Sequence, residues 1–169
     1  MRRLTLLLAI LASPVSAHEY WIEPTDFTVA PDATLTAQIV NGSDYTGTNL
    51  PFLPQRFVRF DDVVGGQVTP VPGRVGDVPA VQMANPAEGL NVLVYQARNA
   101  TVDYKDWDTF VRFTEHKDFT GIIDAHRARG LKEEAFKEIY SRYSKSLVAV
   151  GDGAGQDSRT GLETEIVAL

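Results

Sequence analysis

The chain has 169 residues, 16 basic and 22 acidic side chains, three histidines and no cysteine. Such a length suits one domain of ordinary core, or one domain with part of another. The acidic balance argues against nucleic acid or anionic lipid as partners, and the absence of cysteine excludes disulfides, thiolate metal sites and thiol nucleophiles.

The first expected element is an export signal. Arg2 and Arg3 precede an apolar run over residues 4–12, and Ser13-Pro14-Val15-Ser16-Ala17 ends on the small residues a signal peptidase accepts. Removal of residues 1–17 after Ala17 leaves 14 basic and 22 acidic residues, a formal charge of −8. No second apolar segment approaches the roughly 20 residues that cross a bilayer, so the mature chain is expected to be soluble in the periplasm. The cut makes His18 the first residue. Its α-amine and ring together can chelate one metal ion, and a site limited to nitrogen and oxygen donors points to nickel, copper, cobalt or zinc. Both nitrogens must be unprotonated to bind, so the chelate weakens in acid.

Residues 18–105 read as the core of an immunoglobulin-like β-sandwich. Short apolar runs are broken by Gly, Pro, Asn and Asp at sandwich or barrel spacing. Leu35, Ala37 and Ile39 alternate with Thr34, Thr36 and Gln38, which predicts one buried face, and Asn41-Gly42 is expected to end that strand in a turn. Arg56-Phe57-Val58-Arg59-Phe60 alternates again, and residues 91–97 form a firm strand around Val92, Leu93 and Val94. Gly65-Gly66, Pro70, Pro72-Gly73 and Gly76 mark hairpin or loop ends.

Residues 106–146 change period and read as a helical insertion. A first helix over 106–117 has Trp107, Phe110, Val111 and Thr114 on one face and Asp106 or Asp108 as cap. A shorter one over 119–129 is closed by Gly130. The strongest helical signal covers 132–146, where Phe136, Ile139, Tyr140 and Tyr143 form one stripe. Residues 147–169 read as closing strands, 147–150 and 162–169, around a glycine-rich turn at 151–155. The apolar end at Leu169 is expected either to mark the start of a second, truncated β domain or to close the sheet as an inner strand.

Candidate chemistry rests on the histidines. His116 and His126 are ten residues apart, in poor registry on one helix, but two helices folded back at Gly121 would bring their rings together. With His18 they make a three-histidine candidate metal site, and one further imidazole beside the N-terminal chelate would form a histidine brace. The glycine-rich stretch at 151–155 lacks the Lys-Ser/Thr of a phosphate loop, and no Gly-x-Ser-x-Gly elbow is present. Trp21, Phe52, Phe57, Phe60 and Trp107 are expected in the core rather than on a ligand platform.

Several stretches as a set resemble the DUF4198 family: His18-Glu19-Tyr20-Trp21-Ile22-Glu23-Pro24 after the signal, Leu50-Pro51-Phe52-Leu53-Pro54-Gln55-Arg56-Phe57, Gly73-Arg74-Val75-Gly76-Asp77, His126-Arg127-Ala128-Arg129-Gly130-Leu131, and Tyr143-Ser144-Lys145-Ser146-Leu147-Val148-Ala149-Val150-Gly151. The resemblance implies a periplasmic, non-enzymatic protein that binds Ni(II) or Co(II) and passes it to an inner-membrane transporter, with a further β domain beyond this stretch. Two alternatives stay open. One is a copper-dependent redox enzyme using Cu(II) in the brace; the other is a binding or scaffold module of the envelope whose histidines are structural.

Overall fold

The computed structural model describes residues 18–168, so the expected signal peptide and Leu169 lie outside it. Strand β3 (Thr34–Ser43) organises the first sheet. Its alternating apolar residues, Leu35, Ala37 and Ile39, are almost wholly inaccessible, as the sequence pattern predicts. β1 (Glu19–Pro24) runs antiparallel along one edge of β3, while β4 (Thr46–Leu50) and β7 (Val81–Ala84) follow one another along the other. The second sheet has the order β2 (Thr28–Val29), β11 (Tyr143–Val150), β8 (Gly89–Ala97), β5 (Phe57–Val64) and β6 (Gln67–Pro70). All its pairings are antiparallel except that of β2 with β11.

The N-terminal stretch therefore serves both sheets, with β1 in one and β2 in the other, which is the arrangement of an immunoglobulin-like sandwich. Ile22, Leu35, Ile39, Val81 and Met83 of the first sheet meet Phe60, Leu93, Tyr95, Val148 and Val150 of the second in one core. Each large aliphatic so buried contributes about 1.5–3 kcal/mol. Phe52, Phe57, Phe60 and Tyr95 extend this core as a chain of edge-on ring pairs.

Between β8 and β11 an insertion leaves the sandwich. β9 (Ala100–Tyr104) and β10 (Phe136–Tyr140) pair as a two-stranded ribbon, and α1 (Trp107–His116) and α2 (Ile122–Ala128) fill the span between them. Asp106 caps α1 by accepting from the Thr109 amide at 2.8 Å. α2 begins after Gly121, whose positive φ of 77° turns the chain between the helices.

Three expectations are corrected. Residues 132–146 form no helix; they hold β10 and the first part of β11. Phe136, Glu138 and Tyr140 face one way and Lys137 and Ile139 the other, and Ile139 is 69% exposed. The apparent helical stripe came from reading two strands through as one across the short break at Ser141-Arg142. Asn41-Gly42 does not end β3 either: the turn is made by Asp44 and Tyr45, at φ 52° and 58°, the left-handed pair of a two-residue hairpin. Gly42 stays in the strand, where a Cβ would collide with the Thr46 carbonyl.

The third correction concerns the tail, because residues 162–168 are not a strand but part of an extended strap across the outer face of the second sheet. Leu162, 3% exposed, packs on Val92 and Val94 there. The strap's polar groups are met by side chains instead of a ladder. Lys145 on β11 reaches the Ser158 and Ile166 carbonyls at 2.9 and 3.1 Å and ion-pairs with Asp157 at 2.8 Å. Glu165 accepts from the Thr160 and Gly161 amides, and Asp157 from that of Ala168.

Candidate functional site

His18 stands exposed immediately before Glu19, the first residue of β1. The strand it heads is held firmly. The Ile22 amide donates to Ser144 Oγ on β11 at 3.1 Å, and the Tyr20 ring lies 5.2 Å from that of Tyr95 on β8. Burial, with a side-chain hydrogen bond between Tyr20 and Tyr95, pushes the Tyr20 phenol far above the usual value, and burial raises that of Tyr95 as well, so both tyrosines stay neutral. Arg142 lies over the Tyr20 and Tyr140 rings, at 5.9 and 4.6 Å from their centroids. His18 is thus the outer end of a fixed strand.

The other two histidines belong to the insertion. His116 is exposed in the last turn of α1. His126, on α2, is 6% exposed and packed among Phe136, Trp107 and Phe110, at centroid distances of 4.6, 5.0 and 5.5 Å. Its Nε2 lies 2.7 Å from the Lys132 carbonyl oxygen, which only accepts, so Nε2 carries a proton and donates. That nitrogen is engaged in holding the loop that follows α2. Among the described residues no group of three or more histidine, aspartate or glutamate side chains is gathered as a metal ion requires.

Beside His126 lies an open cleft of about 720 Å³ between α1, α2 and β10. Phe110, Phe113, Phe119, Ile122 and Phe136 supply its apolar wall. Phe119, Ile122, Leu131 and Ile139 remain 41–69% exposed around it. Its charged lining is Arg129, Lys132, Lys137 and Glu138. Glu138 accepts from the Tyr104 hydroxyl at 2.9 Å, and Lys137 pairs with Asp103 at 2.7 Å. Sequence reasoning missed this cleft because β10, one of its walls, was read as helix. The signal that marks it is the β-branched and aromatic content of Phe136-Lys137-Glu138-Ile139-Tyr140.

No helix among the described residues is long and apolar enough to cross a membrane. No curated protein and no solved structure matches the chain. A family model described as a domain of unknown function, DUF4198, matches residues 15–169, all of the chain outside the expected signal, and the chain therefore belongs to the DUF4198 family.

Proposed function

We propose that the mature chain is an exported, non-enzymatic carrier of a divalent transition-metal ion, Ni(II) or Co(II), that serves an inner-membrane uptake transporter. The observation that carries this reading is the position of His18: exposed, directly after the small residues of the expected cleavage site, and at the head of a strand pinned by Tyr20 and Ile22. Cleavage after Ala17 frees an amine beside the imidazole, and the pair presents a two-nitrogen chelate on a rigid support. The residues fit an open chelate rather than a closed three-histidine cage, since His126 Nε2 is committed to Lys132. An open chelate leaves coordination positions for water or a receiving protein, which suits cargo that must be handed on.

The test is to export the precursor, recover the protein from the periplasm and measure its intact mass with and without equimolar Ni(II). The expected result is a mass beginning at His18, one retained metal, at least a tenfold loss of affinity in His18→Ala, and affinity kept in His126→Gln. A mature chain beginning elsewhere, or full affinity in His18→Ala, overturns the assignment.

The cleft in the insertion favours a second reading, that of an envelope binding module, because an apolar concavity of this size with a few polar groups suits a small molecule.

A further inference from the structure

The insertion concentrates features that the sandwich does not share. Its cleft is walled by phenylalanine rings yet leaves Phe119, Ile122, Leu131 and Ile139 in contact with water. Isolated exposed apolar residues are ordinary, but four around one concavity mark a place where something apolar binds.

The charges at its edge select what that is. Among the charged lining residues, Lys137 and Glu138 are occupied by Asp103 and Tyr104. Among the described residues, Arg129 and Lys132 have no carboxylate partner. Their backbones are anchored, while their exposed side chains are free to reach the rim. Arg129 caps the C-terminal end of α2, and the Lys132 carbonyl is held by the His126 ring. Arg127, over the Trp107 ring at 5.3 Å, pairs with Glu133 at 2.7 Å and ties down the same loop. Two cations without a carboxylate partner, carried on anchored backbone at an apolar mouth in a chain whose acidic residues outnumber its basic ones by 22 to 16, complement an anion attached to an apolar body.

We propose that this cleft is a binding site for a free anionic amphiphile, a molecule with one apolar chain and a single carboxylate or phosphate head. The chain lies along Phe110, Phe113 and Phe136, and the head meets Arg129 and Lys132 at the rim. A lipid still in a bilayer offers the same chemistry, but the recessed rings of the cleft suit a single chain that has left the membrane. This site is independent of His18, so it stands or falls separately from metal binding.

The test titrates the full mature protein with dodecanoate below its micelle concentration, and in parallel with dodecan-1-ol, dodecyltrimethylammonium and phosphatidylglycerol vesicles, with Trp107 fluorescence and calorimetry as readouts. Dodecanoate is expected to saturate at one per chain and to bind at least tenfold more tightly than dodecyltrimethylammonium. The Arg129→Gln/Lys132→Gln variant loses about tenfold for dodecanoate and keeps its affinity for dodecan-1-ol. Ile122→Asp, a change at the exposed first turn of α2 where an acidic side chain is well placed, weakens both. Equal binding of the cationic and anionic amphiphiles, unsaturable uptake, capture of vesicles without binding of free dodecanoate, or self-association that closes the cleft would each overturn the proposal.

Discussion

Asp62 lies on β5 directly opposite Leu93, 4% exposed, with no hydrogen-bond partner for its Oδ1 among the described residues. Burial pushes its carboxyl up to about 6. The sign of its effect follows from the proton it holds. Because the folded state keeps that proton to a higher pH than the unfolded chain, stability is greatest below the unfolded value near 4 and declines as pH rises through about 6. Above neutrality the protein carries a desolvated, incompletely paired charge at a cost on the order of 2 kcal/mol. Asp62→Asn removes the charge and keeps the shape. Thermal melting between pH 4 and pH 8 should show the variant gaining on the parent as pH rises and exceeding it at pH 8. Parallel curves for the two proteins would mean that solvent already reaches the Asp62 carboxylate.

The strap works through the opposite electrostatics. Burial acts to raise the Asp157 and Glu165 carboxyls, but Lys145 and the strap's own amides outweigh it, so both lie below the usual carboxylate range, Glu165 at about 2. The support of Glu165 is complete above its unfolded value near 4.5 and is lost as pH falls toward about 2, and that of Asp157 fades in the same direction. Lys145 is the hinge of this arrangement, since it, Asp157 and Glu165 are only 7, 1 and 2% exposed. Breaking a deeply buried ion pair costs about 3–5 kcal/mol, and the thin cover of a single strap brings Lys145→Met nearer about 2 kcal/mol. Limited proteolysis should cut residues 158–168 readily in that variant, and in the parent only in strong acid. Resistance in Lys145→Met would show that Leu162 alone holds the strap. None of this was legible in the sequence, where apolar residues near the end suggested a strand. A buried lysine leaves no local pattern, and its partners lie 12 and 20 residues away. The sandwich was legible because β3, β5 and β8 each carry an alternating or continuous apolar run that fixes one face. The segment 132–146 was not, because two short strands in succession imitate the 3.6-residue period over four turns. Of the candidate site, the exposure of His18 was legible at the expected cleavage junction; the engagement of His126 with Lys132 was not, because it depends on how the loop folds back.

The molecule divides its candidate chemistry between parts held together by different contacts. His18 heads a strand of the sandwich, whose core is continuous between two sheets. The cleft belongs to the insertion, where β9 pairs with β10, Phe136 stacks on Tyr104 at 5.1 Å, and the helices pack on that ribbon rather than on either main sheet. A unit with few ties to the main core opens at lower free energy than the core itself. Amide exchange should therefore be slowest in β3, β8 and β11, and faster by at least tenfold in β10, α1 and α2. Each proposed ligand then leaves its own signature. An amphiphile in the cleft slows exchange in α2 and β10 without changing β3, whereas a metal on His18 affects the first residues of β1 and leaves the helices as they were. Uniform protection across sandwich and insertion would mean that the two open as one body. In that case ligand at either site would slow exchange everywhere, and the insertion would be a buttress of the sandwich instead of a separate binding element.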